Sequence, residues 1–333
     1  MKAMRLSEGR LQLVDLPPAL LRPGEVRVRV HGASVNFRDG LVIGGIFPSP
    51  SGLIPLSDGA GEVVEVGEGA GAGGLAVGDR VISTFHPNWR DGHVDRAELN
   101  NSPGGPADGF ACEEVVRPAW HFTRAPENLS LVEAASLPCA AVTAWRAVVT
   151  DGHVSPGEHV LVQGTGGVSL FALQFAKAAG AVVVAIGSTP EKRQRLLELG
   201  ADHVIDRLAT PEWGDAVLDL TRGLGVEHVI EVGGPNTLAQ SFRAARTGAH
   251  VAIIGAVAGF DRDTMPFAVV QAKRLCLQAV TVGSRRDQIE MVRAIEAHDL
   301  HPAIDRVFPL VRLEDAIAHM QSGQQIGKIC IEM

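Results

Sequence analysis

The sequence predicts an α/β fold in which a parallel sheet, covered by helices on both faces, is inserted into a β-rich domain. Three observations predict it. The first hundred or so residues are short alternating strands broken by Gly and Pro, the pattern of a small barrel or closed sheet. From Leu131 onward helical stretches alternate with buried apolar runs, as parallel sheets require. After Ser284 a helical run at 287–296 leads back to strand-like segments at 303–309 and 326–331, which should rejoin the first part.

The early strands are EVRVRVH at 25–31, GEVVEV at 61–66 and DRVIS at 79–83. Those of the parallel sheet are EHVLVQ at 158–163, AVVVAI at 181–186, and runs at 203–205, 226–232, 250–254 and 277–282. Between the first two of these lies Gly164-Thr165-Gly166-Gly167-Val168-Ser169, followed by a helical pattern with Leu170, Leu173, Phe175 and Ala176 spaced to pack on a sheet. Strand, glycine turn, helix, strand is the unit on which a dinucleotide pyrophosphate rests. Glycines permit close backbone approach, and the helix N-terminus offers unpaired N–H groups to an anion. Ser169 stands where a third glycine is usual. The polar stretch 86–109 is the longest predicted loop, a functional lid or mobile surface.

Composition narrows the function. A chain of 333 residues, 46% hydrophobic and 20% charged, can bury two cores. Its net charge of −8 argues against a general binder of nucleic acid or anionic membrane. No apolar run approaches the roughly 18 residues that span a bilayer, and the N-terminus lacks a signal-peptide core, so a cytoplasmic setting is expected. Cys112, Cys139, Cys276 and Cys330 form no C-x-x-C pair, which suggests neither a zinc lobe nor a redox dithiol. There is no tyrosine, so no tyrosine can serve as proton donor.

A colinear set of motifs runs through almost the whole chain. It comprises Pro23-Gly24-Glu25-Val26, Asn36-Phe37-Arg38-Asp39, Ser57-Asp58-Gly59-Ala60-Gly61-Glu62-Val63 and Val77-Gly78-Asp79-Arg80-Val81. Leu137-Pro138-Cys139-Ala140-Ala141-Val142-Thr143-Ala144-Trp145, the glycine turn, Val232-Gly233-Gly234, Ile254-Gly255, Gly283-Ser284-Arg285 and Gly327-Lys328 complete it. Together they resemble the medium-chain dehydrogenase/reductase superfamily of alcohol dehydrogenases and quinone reductases. The resemblance implies a Rossmann doubly wound sheet at 125–284 inserted into a GroES-like barrel domain made of 1–124 and 285–333. It implies that Thr143 and Asn36 lie near the nicotinamide end, that Ile254, Gly255, Gly283 and Ser284 bring backbone against the ring, and that Lys328 reaches the pyrophosphate. Gly164, Gly166, Gly167, Val168 and Gly233 belong to the same cofactor set.

The departures from the family pattern carry as much weight. Zinc-dependent members place Cys where Asn36 stands and a His-Glu pair where Ser57-Asp58 stands, leaving only Cys139 at a ligand position. One thiolate with an amide and a hydroxyl is a poor zinc site, so no metal is expected. An NAD enzyme places an acid about 20 residues after the glycine turn. Gly187 occupies that place here, with Ser188, Lys192 and Arg193 following, which favours NADP(H); Glu191 dissents.

Without a Lewis acid, an activated acceptor such as a quinone or an α,β-unsaturated carbonyl is the natural substrate. Asn36 and Arg38 are candidates for stabilising the oxyanion and His86 for donating a proton. An Arg38 pair with Asp39 or Asp58 is an equal structural reading of that arginine. A zinc-type alcohol dehydrogenase with unconventional ligands and a catalytically silent NADPH-binding protein are the competing functions. The apolar run at 275–282 predicts an exposed sheet edge, and the resemblance implies a homodimer joined through it, unless a loop at 258–267 covers that edge.

Overall fold

The computed structural model describes residues 1–7, 9–69, 74–259 and 265–333. The chain divides into two compact units, Met1–Val142 with Val282–Met333, and Thr143–Thr281. Residues 125–142 therefore group with the first unit.

In the first unit β1 (Lys2–Ser7) and β2 (Arg10–Asp15) form a separate antiparallel hairpin. The main sheet starts with β3 (Glu25–Val35), β4 (Asp58–Val66), β5 (Arg80–Ser83), β6 (Glu114–Pro118) and β7 (Phe122–Arg124). The alternation in β3 does what the period of two demands: Val26, Val28 and Val30 turn inward and are almost fully buried. They meet Phe110, Phe122 and Leu313 in one core.

The second unit holds β8 (His159–Gln163), β9 (Val182–Gly187), β10 (His203–Asp206), β11 (Val226–Glu231), β12 (Ala245–Ile253) and β13 (Cys276–Ala279). All are parallel and ordered β10-β9-β8-β11-β12-β13, so strands three, two and one are followed by four, five and six. That order defines the doubly wound sheet. The tail supplies β14 (Ile304–Pro309) and β15 (Lys328–Glu332) to the first unit, and β15 pairs antiparallel with β3, Cys330 opposite Ser34.

The last strand of the second unit ends earlier than the apolar run predicts. Val280 still donates its N–H to Ile253 O at 2.9 Å, but Val282 adopts φ +56°, which a β-branched residue rarely does, and the chain leaves the sheet. The start of the 86–109 loop is packed rather than loose, since His86 and Trp89 are 5% and 1% exposed. The 258–267 loop lies in part outside the described residues.

Candidate active site

In the second unit the strand order reverses between β8 and β11, and ligands of such sheets bind beyond the carboxyl ends of the strands at that point. Three turns emerge there. At the end of β8, Gly164 adopts φ +73°, and a Cβ added to Gly164 or Gly166 would meet nothing within 4 Å. The turn thus leaves open space over the first N–H groups of the helix Gly167–Ala178, to which Gly167 and Val168 belong. Ser169 replaces the third glycine without loss of closeness. It is buried, and its hydroxyl donates to Gln163 O at 2.6 Å, tying the helix to β8.

The turn after β11 is organised by Glu231, a residue that the sequence motifs pass over. It is fully buried. Its Oε1 accepts the N–H groups of Gly233 at 2.7 Å and Gly234 at 2.9 Å and the hydroxyl of Thr237 at 2.6 Å. Its Oε2 accepts Gln163 Nε2 at 2.8 Å and the hydroxyl of Ser241. One carboxylate therefore fixes the Gly233 turn and links it to the end of β8. The third turn, Ile254 and Gly255 after β12, joins the same assembly: Ile254 donates its N–H to Glu231 O at 2.9 Å. Thr143 is buried in the helix Val142–Trp145.

At the end of β9, Gly187 is followed by half-buried Ser188, and Lys192 lies in the first turn of the helix Pro190–Glu198. Arg193, expected in the cofactor set, also has partners within the protein. Its guanidinium pairs with Asp206 at 2.6 Å and donates to Ser188 O, because Asp206 sits beside Gly187 in register on β10. Glu191 is exposed, and hydrogen bonds from its own backbone N–H and from Thr189 hold its carboxyl below the usual range, as suits a helix start.

In the first unit a buried polar cluster unites residues far apart in sequence. Asn36 donates from Nδ2 to Asp58 Oδ2 at 2.8 Å and to Ser57 Oγ at 3.2 Å. Asp58 also accepts the Ser57 hydroxyl at 3.0 Å and the Cys139 N–H at 3.2 Å. Lys328 donates from Nζ to Asn36 Oδ1 at 2.5 Å and to Val35 O at 2.9 Å, and lies 4.0 Å from Asp58. Both amide protons of Asn36 are thus committed, so this side chain has none left for a substrate oxyanion. Lys328, for which the resemblance implies a pyrophosphate contact, has its ammonium buried in this cluster. Burial raises the Asp58 pKa, and Lys328 opposes that rise. Burial first and Asp58 second push the Cys139 thiol far up.

Asp39 completes the cluster. It accepts the Asn36 N–H at 2.7 Å, and burial, opposed by Arg38, raises its pKa to about 7. Arg38 forms no ion pair with Asp39 or Asp58 within 4.0 Å among the described residues. It donates instead to Pro103 O at 3.0 Å and Gly105 O at 3.1 Å, with its guanidinium 4.9 Å from the centre of the Phe85 ring. Nearby on the same loop His86 Nδ1 lies 3.1 Å from Ser102 Oγ. Arg38 and His86 therefore share one anchoring segment, 102–105. Gly283 and Ser284 begin a helix: Ser284 caps Arg285–Ala297 by exchanging hydrogen bonds with Asp287, and a Cβ at Gly283 would strike Val142 at 2.8 Å.

Comparison with known proteins decides the family. Residues 22–127 match the alcohol dehydrogenase GroES-like domain and residues 167–297 the zinc-binding dehydrogenase domain. A zinc-type alcohol dehydrogenase-like protein of Schizosaccharomyces pombe is 41% identical over 95% of this chain and 93% of its own length. The chain belongs to the medium-chain dehydrogenase/reductase superfamily. Among solved structures of this superfamily, an NAD-dependent alcohol dehydrogenase superposes with a TM-score of 0.91 at 32% identity, covering all of both chains. A cobalt- and zinc-bound alcohol dehydrogenase from Pyrobaculum aerophilum gives 0.86 at 29% identity, over 100% of this chain and 99% of that one. As a medium-chain dehydrogenase/reductase of the alcohol dehydrogenase-like kind, the protein is an oxidoreductase that acts on small molecules with a nicotinamide cofactor. The open space at Gly164 and Gly166 fits such a cofactor's pyrophosphate. No described helix is long and apolar enough to cross a membrane.

Proposed function

We propose that the protein is a zinc-independent, NADPH-dependent reductase of activated acceptors, quinones or α,β-unsaturated carbonyls. The observation that carries this reading is the Asn36–Asp58–Lys328 cluster. Zinc does not fit its donor set. Asp58 already accepts three hydrogen bonds, Asn36 presents N–H groups, the Cys139 thiol resists ionisation, and the Lys328 ammonium stands where a metal's charge would be needed. The yeast relative's zinc-type name and the metal-bound Pyrobaculum enzyme describe those proteins.

The cofactor supplies hydride when bound. The chain's own part is to orient the acceptor and to meet the charge and proton demand. Arg38, fixed over Phe85 and on the carbonyls of Pro103 and Gly105, presents its guanidinium to the developing oxyanion. His86, oriented by Ser102, returns a proton to the enolate or quinol anion. Asn36 becomes a positioning residue that holds Lys328 and Asp58. The test is NADPH oxidation against a panel of enones, quinones and simple aldehydes, before and after exhaustive chelation, with elemental analysis. Turnover of enones or quinones that survives chelation is expected. Activity confined to simple aldehydes, lost on chelation and restored by zinc, would overturn the assignment.

NADPH preference rests on Gly187, Ser188 and Lys192, with Arg193 reassigned to neutralising Asp206. Charge-assisted contacts to the 2′-phosphate should favour NADPH over NADH by about 1–3 kcal/mol. Fluorescence titration of both cofactors reads this directly, and Lys192→Ala should weaken NADPH far more than NADH. Equal affinities in the unaltered protein would sink it.

Assembly as a homodimer is supported by β13, an edge strand whose Cys276, Gln278 and Ala279 are exposed and carry no charge. Light scattering should give a species near twice the 35.1 kDa chain mass. Ala279→Pro, which removes an edge donor, should shift it toward the monomer. An unaltered dimer in that variant would place the interface elsewhere.

A further inference from the structure

A cleft of about 500 Å³ on the first unit plays no part in the chemistry above. One wall is the helix Arg285–Ala297, on which Arg285, Ile289 and Arg293 are spaced four apart and so lie along one face. The other wall carries Arg90 and Trp120, the arginine 5.5 Å over the indole ring. The walls are joined by backbone: Arg285 donates its N–H to Trp89 O at 2.9 Å, and Arg286 donates to Arg90 O at 3.1 Å.

Charge in this cleft is unbalanced. Arg286 is paired with Glu290 at 2.9 Å and Asp91 at 3.6 Å, which uses both acidic residues of the lining. Arg90, Arg285 and Arg293 have no ion pair among the described residues. The Arg285 Nε is buried and has no hydrogen-bond partner, and its Nη2 makes only a long contact, 3.3 Å, to Phe122 O. Burial and the neighbouring Arg90 both disfavour the charge on Arg285. Three uncompensated guanidinium groups converging on one cleft, in a chain whose net charge is −8, is an arrangement that an anion would relieve. The helix terminus itself offers nothing further. Its first four N–H groups are taken by Trp89 O, Arg90 O, and the Ser284 hydroxyl and carbonyl.

We propose that this cleft binds a phosphate-bearing anion through Arg90, Arg285 and Arg293, none of which belongs to the dinucleotide turn. Guanidinium forks match phosphate oxygens in pairs, and three of them suit a diphosphate better than a lone carboxylate. The proposal is independent of the reductase assignment, because it is read by binding alone.

The test is calorimetric titration of the full chain, saturated with whichever of NADPH and NADH it binds more tightly, using inorganic pyrophosphate in one arm and ADP in the other. Arg90 and Arg293 are exposed, so Arg90→Ala and Arg293→Ala should keep the fold, which thermal melting verifies. Binding is expected in at least one arm, weakened roughly tenfold or more by each substitution and falling with salt. Equal affinity in the two arms would identify the phosphates alone as the recognised group. Tighter ADP binding, with a quench of tryptophan emission lost in Trp120→Phe, would identify a nucleotide. The proposal is overturned if neither probe binds at millimolar concentration, if both variants bind as the unaltered chain does, or if Lys192→Ala rather than the arginine variants abolishes binding.

Discussion

Replacing Glu231 with alanine is expected to cost about 3–5 kcal/mol of the second unit's stability and to weaken cofactor binding at the same time. The carboxylate accepts from five groups, two of them the rigid backbone N–H donors of Gly233 and Gly234. The hydroxyls of Thr237 and Ser241 can rotate toward other acceptors, but the glycine N–H groups cannot follow a vanished partner. Each buried donor left unpaired costs roughly 1–3 kcal/mol, less whatever an entering water restores. Glu231→Gln should lose less, because Oε1 can still serve the turn while the new amide faces Gln163 and Ser241 unfavourably. Urea unfolding followed by a probe of the second unit measures the first effect, and NADPH titration the second. A loss below about 1 kcal/mol for the alanine variant would show that the carboxylate is not what fixes this turn.

How much of this was legible in the sequence depends on the range of the interaction. The parallel strands announced themselves because each is a short apolar run bounded by turn residues, and the β8–turn–helix–β9 unit is wholly local. The doubly wound arrangement was implied by the family resemblance, and the strand order itself came from the structure. The buried clusters are another matter. Asn36, Asp58 and Lys328 lie in three separate stretches of chain, and nothing in their spacing says that both Asn36 amide protons are committed. That commitment is what leads us to propose a positioning role for Asn36 rather than oxyanion donation. The Arg193 pair with Asp206 was likewise illegible, because it depends on β10 placing Asp206 beside Gly187. Glu231 left a weaker trace that could have been followed: an acid closing an otherwise apolar strand just before two glycines has no solvent to face. Asp39, three residues after Asn36, left the spacing of a helix-start carboxylate.

Asp39 gives the clearest dependence on pH. Its carboxyl is completely buried, accepts the Asn36 N–H, and leaves Oδ1 without a partner. Burial lifts its pKa from 3.8 to about 7, Arg38 pulling in the other direction and Asp58 adding to the rise. The folded protein therefore keeps this proton over a range in which the unfolded chain has lost it. The stability it contributes is complete below pH 3.8 and declines as pH rises toward 7, at up to about 1.4 kcal/mol per pH unit, and is level above that. Asp39→Asn keeps an oxygen for the Asn36 N–H and has no proton to lose. Relative to the unaltered protein, the variant should gain stability steadily from pH 5 to 7 and hold an advantage on the order of 3–4 kcal/mol at pH 8. Denaturant unfolding of both proteins across that interval measures the difference. A gap that does not change with pH would mean that Asp39 is ionised in the fold throughout, its charge carried by Arg38. In that case a full negative charge would sit beside the Asn36–Asp58–Lys328 cluster.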